Sequence, residues 1–398
     1  AAFGLPIIDL LDGQPKGIKA LVLVPTRELA LQVCDEMLSL ADKRIIITAV
    51  YGGQSISEQQ RRIKKGVDVV VGTPGRILDL ISRGDLDFSQ LQIFVLDEAD
   101  EMLNMGFIED IEEIMRHTPK EKRVLLFSAT MPDRIVKLAK NYMKEPKRLE
   151  VDKAKPTTGL TDQIYFEVRE SDKFDALTRI IDIEPEFYGL VFCRTRNDVD
   201  VVTGKLIERG YAAEGLHGEI SQAQREKTLS RFRKKHINIL IATDVAARGI
   251  DIVDLTHVIN YSLPQDPESY IHRIGRTGRA GKQGTAITFV SPEEYRKLNY
   301  FQKATKVNIR KELLPTAEDI VAVKREKIKE ELVEIINQGN YMDYLGMADD
   351  LIETNSPEVA LAALLKLAFK SQLDVSSYTE IRTFRVDTKG TTRLFIGL

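Results

Sequence analysis

Short apolar runs that each end in a small, polar or charged cluster recur along this chain, and they restrict its fold more than any other feature. In the first part they are "ALVLVPTREL", "RIIITAVYGG", "VDVVVGTPGR", "LQIFVLDEAD" and "KRVLLFSATM". Four to six consecutive apolar residues rich in Val and Ile read as strands buried on both faces, as in a parallel sheet. Between them lie stretches with helical spacing, such as Leu29, Val33, Met37 and Leu40. Strand alternating with helix means an α/β domain.

The rhythm pauses once and then restarts. Residues 150–163, "EVDKAKPTTGLTDQ", are polar, carry Pro and two adjacent Thr, and read as a linker. After them come "GLVFCRTR", "AAEGLHGE", "INILIATDVAARG", "THVINYSLP" and "GTAITFVS". Two α/β domains in tandem, over 1–149 and 164–313, are the economical reading. Strand patterns then stop. Thr316 with Asp319 three residues on opens a charged helix, with Ile320, Val323, Ile328, Leu332 and Ile335 on one side and its end near Gly339. A second helix starts at Ser356–Pro357, Pro being favoured in a first turn, and runs through "EVALAALLKLAFK". Residues 314–375 therefore read as a small all-helical module. Residues 376–398 read as a linker that ends in a strand pattern, "TRLFIGL". The opening "AAFGLPIIDLL" looks like the apolar side of a helix, although Pro6 would cost ~3 kcal/mol in a helix interior.

Bulk properties set outer limits. At 398 residues, two or three domains can each build a core. A net charge of −3 neither requires nor forbids nucleic acid, because a basic groove can sit inside a neutral total. No stretch approaches the ~18 uncharged apolar residues of a membrane span. Cys34 and Cys193 lie far apart in apolar surroundings, which argues against a disulfide framework and for a reducing, cytoplasmic setting. Five His and two Cys show no metal-ligand spacing.

In an open parallel sheet, ligands bind beyond the carboxyl ends of the strands, where helix N-termini and loop amides converge. Asp97-Glu98-Ala99-Asp100 follows directly on the strand Ile93–Leu96. A carboxylate placed there can hold Mg²⁺ on a nucleotide's phosphates, usually through water, and its neighbour can take a proton from an attacking water. Taken alone, an acidic helix N-terminus favoured by the dipole explains the same residues. "HRIGRTGR" (272–279) adds Arg273, Arg276 and Arg279 at spacings of three. A lone arginine would read as a solvated loop; three on this frame suit the spread charge of a transferring phosphoryl group.

Nine motifs appear in series: "PTRELA" (25–30), Gly52–Gly53, "TPGR" (73–76), "DEAD" (97–100), "SAT" (128–130), "VFCRTR" (191–196), "QAQRE" (222–226), "ATDVAARGID" (242–251) and "HRIGRTGR" (272–279). In order and spacing, residues 1 to about 312 resemble the DEAD-box ATP-dependent RNA helicases. Asp100, where some relatives have His, resembles the RNA-directed branch. The resemblance implies two tandem RecA-like domains with parallel sheets, followed by the helical module, with ATP and Mg²⁺ as cofactors. It implies that Asp97 holds Mg²⁺ through water and that Glu98 positions the attacking water. Asp100, Ser128 and Thr130 would serve in ATP binding and in coupling ATP state to strand separation. Arg276 and Arg279 would reach across to the γ-phosphate, His272 and Arg273 would bridge the domains, and Asp251 would contact the ribose. Pro25, Thr26, Arg27, Gly53, Thr73, Gly75, Arg76, Arg194, Arg225 and Thr243 would grip one RNA strand by phosphates and sugars, which gives affinity without sequence readout. For Gly53 and Gly75, turn geometry that favours Gly is a compatible explanation.

The helical module and "RLFIGL" resemble the bacterial cold-shock subgroup, involved in ribosome assembly and RNA turnover. There the helices dimerise and an RRM-like RNA-binding domain follows, which implies a homodimer through 314–375 and a structured or duplex partner such as ribosomal or messenger RNA. Family members place a Gly-rich loop ending in Gly-Lys-Thr before a segment like "AAFGLPI", and no GxxxxGK[ST] occurs in the 398 residues. The resemblance thus implies a chain cut short at both ends and inactive by itself, with a non-catalytic RNA clamp or scaffold as the alternative function.

Overall fold

Each Val/Ile-rich run becomes a strand because both of its faces find apolar cover. The computed structural model describes residues 2–11, 17–42, 44–150, 160–247, 249–250, 252, 254–278, 281–378 and 381. The chain divides into two units. In the first, β1 (Ala20–Leu23), β2 (Ile47–Val50), β3 (Val69–Gly72), β4 (Ile93–Leu96) and β5 (Arg123–Leu126) form a parallel sheet in the order β2-β3-β1-β4-β5. Alternate residues of one strand feed opposite cores. Leu21 and Leu23 join Val70, Ile77, Phe94 and Ile114 on one side, while Ala20 and Val22 join Val71, Val33, Met37 and Ile7 on the other. The edge strand β5 departs from the expected double burial, since Arg123 is exposed and Val124 to Leu126 are only half-buried. An edge position removes cover from one side even where the sequence is apolar.

Pro6 fits without a broken helix. The first helix, α1, covers Gly4–Leu11, so Pro6 lies in its first turn, where the backbone N–H has no intrahelical acceptor to lose. Cys34 and Cys193 are free and buried, and burial pushes the Cys34 thiol up to about 11. Among the described residues, no helix is long and apolar enough to cross a membrane.

The second unit has β6 (Thr161–Glu167), β7 (Gly189–Cys193), β8 (Ala213–Leu216), β9 (Ile239–Thr243), β10 (His257–Asn260), β11 (Gly284–Val290) and β12 (Arg310–Lys311). Their order is β12-β6-β11-β10-β7-β9-β8, again parallel. Here the linker assigned to 150–163 ends early, because β6 already begins at Thr161 and pairs with β11 along its whole length. Its inward residues include polar Thr161 and Gln163, and Gln163 Oε1 accepts a hydrogen bond from Tyr270 at 3.0 Å. A strand with polar residues at buried positions does not look apolar. Residues 151–159 lie outside the described residues.

In the same unit, α14 (Ala317–Gln338), α15 (Leu345–Thr354) and α16 (Pro357–Leu373) form the helical part; α15 was not expected from the sequence. The capping box is realised, with Asp319 N donating to Thr316 Oγ1 at 3.1 Å and Thr316 N to Asp319 Oδ2 at 2.9 Å. Gly339 closes α14 in the left-handed region at φ 71°. The first half of α14 packs on α8 (Lys173–Ile183), burying Ile320, Val321 and Ile328. Ile320 therefore belongs to an intramolecular contact. By contrast Ile335, Leu361, Leu364 and Leu367 stay exposed. The "LFIGL" segment lies outside the described residues.

Candidate active site

In the first sheet β1 lies between β3 and β4, so the strand order reverses at β1, and the crevice beyond the strand ends at that point is where such sheets bind ligands. The β4 end carries Asp97 and Glu98. Asp97 N donates to Leu23 O at 3.0 Å, continuing the ladder one residue past the strand. Glu98 then takes φ 51° and ψ 51°, a left-handed conformation that costs a non-glycine residue ~1–3 kcal/mol. That turn lets α5 (Ala99–Asn104) start at once, with Ala99 N donating to Phe127 O at 3.1 Å. The Asp97 carboxylate accepts Glu98 N at 3.0 Å. Burial raises its pKa above the usual carboxylate range, the hydrogen bond opposes this, and the Asp100 charge adds to it.

Asp100 ties this turn to the end of β5. It is 3% exposed, and its Oδ2 accepts both the Thr130 backbone N–H and the Thr130 hydroxyl, each at 2.8 Å. In return Ser128 Oγ accepts Asp100 N at 3.2 Å and donates to Thr130 O at 2.6 Å. "DEAD" and "SAT" are thus one hydrogen-bonded assembly, so that a displacement of either is felt directly by the other.

Three other strand ends of the first unit, those of β1, β2 and β3, carry residues assigned to nucleic acid. Thr26 caps α2 (Arg27–Leu40), accepting Leu29 N at 3.3 Å. The Arg27 side chain lies over Gly53, where φ is +84° and a Cβ would come within 2.7 Å of Arg27 Nη1. That nitrogen is enclosed with no hydrogen-bond partner among the described residues. Arg76 places Nη1 and Nη2 3.4 Å from Gln54 O, beside the same glycine pair. The structure thus brings Arg27, Gly53 and Arg76 together at one end of the sheet. Thr73 stands at the N-cap of α4 (Pro74–Ser82) without capping it through its side chain. Gly75 differs from Gly53: it is helical, and a Cβ there would meet nothing within 4 Å. Turn geometry explains Gly53 but not Gly75, whose bare surface leaves room for something outside the chain.

In the second unit, β7 lies between β9 and β10 and marks the corresponding reversal. Arg194 follows β7, half-exposed, with Nη2 3.1 Å from Glu294 Oε1. Thr243 ends β9 and accepts Ala246 N at 3.4 Å, while Arg225 Nη2 donates to Ala246 O at 2.7 Å, so these two residues share one loop. His272 and Arg273 sit on α12 (Pro267–Ile274), and Arg276 follows just after it. Asp251 and Arg279 lie outside the described residues.

Arg273 departs from its expected bridging role. At 3% exposure, its Nε and Nη2 donate to the two Asp244 carboxylate oxygens at 2.5 and 2.7 Å. Its Nη1 donates to Asn260 Oδ1 at 3.0 Å and Ser262 O at 2.8 Å, and the guanidinium lies over the Phe192 ring. These donors are satisfied inside the second unit, which makes Arg273 an anchor for α12. Sequence reasoning missed Asp244 and Asn260. The only available signal was an acid inside "ATDVAARG", and nothing in the sequence connects it to Arg273.

Comparison with known proteins agrees with this arrangement. The DEAD/DEAH box helicase model matches residues 1–138, the helicase conserved C-terminal domain 172–281, and the RNA helicase DeaD dimerization domain 315–375. The chain is 47% identical over 92% of its length to the DEAD-box ATP-dependent RNA helicase CshA of Geobacillus kaustophilus, covering 79% of that protein. It is 44% identical over 94% of its length to CshA of Bacillus subtilis, covering 76% of it. Among solved structures, S. cerevisiae Dbp5 bound to RNA and ADP BeF3 is similar at TM-score 0.73 and 32% identity, with 82% of this chain and 85% of that one covered. Mss116p bound to ssRNA and AMP-PNP is similar at TM-score 0.71 and 26% identity, with 96% and 86% covered. With motif order, strand-end placement and identity over most of the chain in agreement, the chain belongs to the DEAD-box ATP-dependent RNA helicase family.

Proposed function

We propose that this protein couples ATP hydrolysis to the separation of short RNA duplexes in the cytoplasm, in ribosome assembly, RNA turnover or cold adaptation. The observation that carries the reading is the direct hydrogen bonding of Asp100 to Ser128 and Thr130, which links the nucleotide-facing turn to a second strand end. Among the described residues no group of three or more His, Cys, Asp or Glu is placed to hold a metal. A single half-buried carboxylate, Asp97, suits a Mg²⁺ ion that arrives on a triphosphate and keeps most of its water. When bound, that ion neutralises phosphate charge. Glu98 accepts the proton of the attacking water, and Arg276 and Arg279 stabilise charge on the γ-phosphate, with Asp251 at the ribose. Pro25, Thr26, Arg27, Gly53, Thr73, Gly75 and Arg76, with Arg194, Arg225 and Thr243, hold RNA by its backbone.

The reading is tested by RNA-stimulated ATP turnover and duplex unwinding, measured on a version that carries a GxxxxGK[ST] loop and on residues 1–398 alone. Turnover is expected in the first and none in the second, since loop amides and Lys act together on the phosphates. A loop-bearing protein that binds RNA without turnover would favour the clamp or scaffold. Gly75→Ala gives a second check with opposite signs. It should stabilise the fold by about 0.4–1 kcal/mol, because the position tolerates a Cβ, yet weaken RNA binding if a phosphate passes over the helix start. Unchanged RNA affinity would remove Gly75 from the RNA face.

The exposed Ile335, Leu361, Leu364 and Leu367 support a homodimer through 314–375. Light scattering should show a dimer that is lost when the chain is cut at residue 313. Ile320→Ala should instead cost about 2–5 kcal/mol in a urea melt by loosening α14 from α8, without itself lying in the dimer contact. Two monomers in the scattering comparison would refute the dimer.

A further inference from the structure

Apolar packing holds α16 only thinly. Among its described residues no side chain is buried. Leu365, Phe369 and Leu373, four apart along one side, reach half-burial, while Leu361, Leu364 and Leu367 are exposed. Its helical neighbours are α14 and α15. After α16 the chain turns back on itself. Asp374 Oδ1 accepts Ser376 N at 2.9 Å and Ser376 Oγ at 2.7 Å, and Tyr378 N donates to Val375 O at 3.2 Å.

The turn brings Tyr378 to a carboxylate 196 residues earlier, Asp182 at the end of α8. The Tyr378 hydroxyl donates to Asp182 Oδ2 at 2.6 Å. Lys324 Nζ, from α14, donates to the same Oδ2 and to the Tyr378 hydroxyl oxygen, each at 2.8 Å. Its ammonium lies 5.5 Å from the centre of the Tyr378 ring. Tyr211, just before β8, donates to the other oxygen, Asp182 Oδ1, at 2.8 Å. The Asp182 side chain is 11% exposed and that of Lys324 23%, so the two charges compensate each other where water competes little. Ile381 packs on the core of the second unit just beyond.

We propose that residues 374–378 form a strap whose latch is the Tyr378 hydroxyl, which ties the end of α16 to α8 and α14 and gives the exposed row Leu361, Leu364 and Leu367 one orientation relative to the second sheet. A hydrogen bond to a charged acceptor is stronger than a neutral one, and the half-buried stripe of α16 offers little else to hold its end.

The test is hydrogen–deuterium exchange of the full chain, read on peptides from the end of α16 through Tyr378. Tyr378→Phe removes only the hydroxyl. It should speed exchange there roughly 10-fold, the equivalent of one bond to a charged group in a half-exposed place, while exchange in β7 and β9 and the urea midpoint stay as they were. Tyr211→Phe removes the donor on the other Asp182 oxygen and leaves the strap's own bonds in place, so the end of α16 should exchange as before. Unchanged exchange in Tyr378→Phe, or equal acceleration in Tyr211→Phe, overturns the latch. Uniform acceleration across the second unit with a lowered urea midpoint also overturns it, by making Tyr378 part of the global core.

Discussion

Glu98→Gln, in a version that carries a phosphate loop, is expected to lower RNA-stimulated ATP turnover by ~10²–10⁴-fold while ATP binding persists. The amide is nearly isosteric with the carboxylate, but it cannot accept the proton that the attacking water must lose. The position adds a geometric reason. Glu98 occupies a left-handed backbone conformation directly after β4, and such strain persists where the surrounding structure over-determines it. Here the ladder bond from Asp97 N to Leu23 O on one side and the bond from Ala99 N to Phe127 O on the other clamp the residue. Gln at this position keeps both backbone bonds, so the substitution isolates the proton-accepting role. Single-turnover kinetics beside equilibrium nucleotide binding would separate chemistry from affinity. A kcat within a few-fold of the unaltered protein would mean that Glu98 is not the base.

The largest structural effect is expected from Asp244→Asn, at about 3–5 kcal/mol, because it leaves the Arg273 guanidinium buried without its charge partner. Arg273 is 3% exposed while Asp244 is about one-third exposed, so the cost falls mainly on the arginine. Set against a total stability of ~5–15 kcal/mol, this is a large fraction. It corresponds to a melting shift of roughly 6–20 °C for a unit of this size. Replacing both partners, Arg273→Met with Asp244→Leu, should recover much of the loss, since two apolar groups leave no unpaired charge. A melting temperature unchanged in Asp244→Asn would show that Asn260 and Ser262 suffice to hold the guanidinium.

Much of the fold was legible because parallel strands buried on both faces are written as continuous apolar runs. That is why β1, β3, β4, β7 and β9 could be read directly, each followed by a polar cluster. The start of β6 was hidden because Thr161 and Gln163 are polar yet buried, and the partner of Gln163, Tyr270, lies far away in the chain. Burial at β5 was overstated because an apolar sequence does not record whether a strand has a neighbour on its outer side.

The site divides in the same way. Strand-end placement singled out the acids Asp97, Glu98 and Asp100, whereas Ser128 and Thr130 were singled out only through the family resemblance; the structure joins Asp100 to both by hydrogen bonds. Three arginines at intervals of three looked alike on paper. On the folded chain, α12 buries Tyr270, Arg273 and Ile274, positions three and four apart on one helical face, which turns Arg273 inward. Arg276 comes after the helix has ended at its Gly275 cap and so is not part of that face. The sequence by itself therefore determined most of the order of strands and helices and placed an acidic cluster at the end of β4, because both are encoded locally. Only the tertiary structure decided which guanidinium became an anchor, because its partners, Asp244 29 residues away and Asn260 13 residues away, meet it through the packing of separate strands and helices.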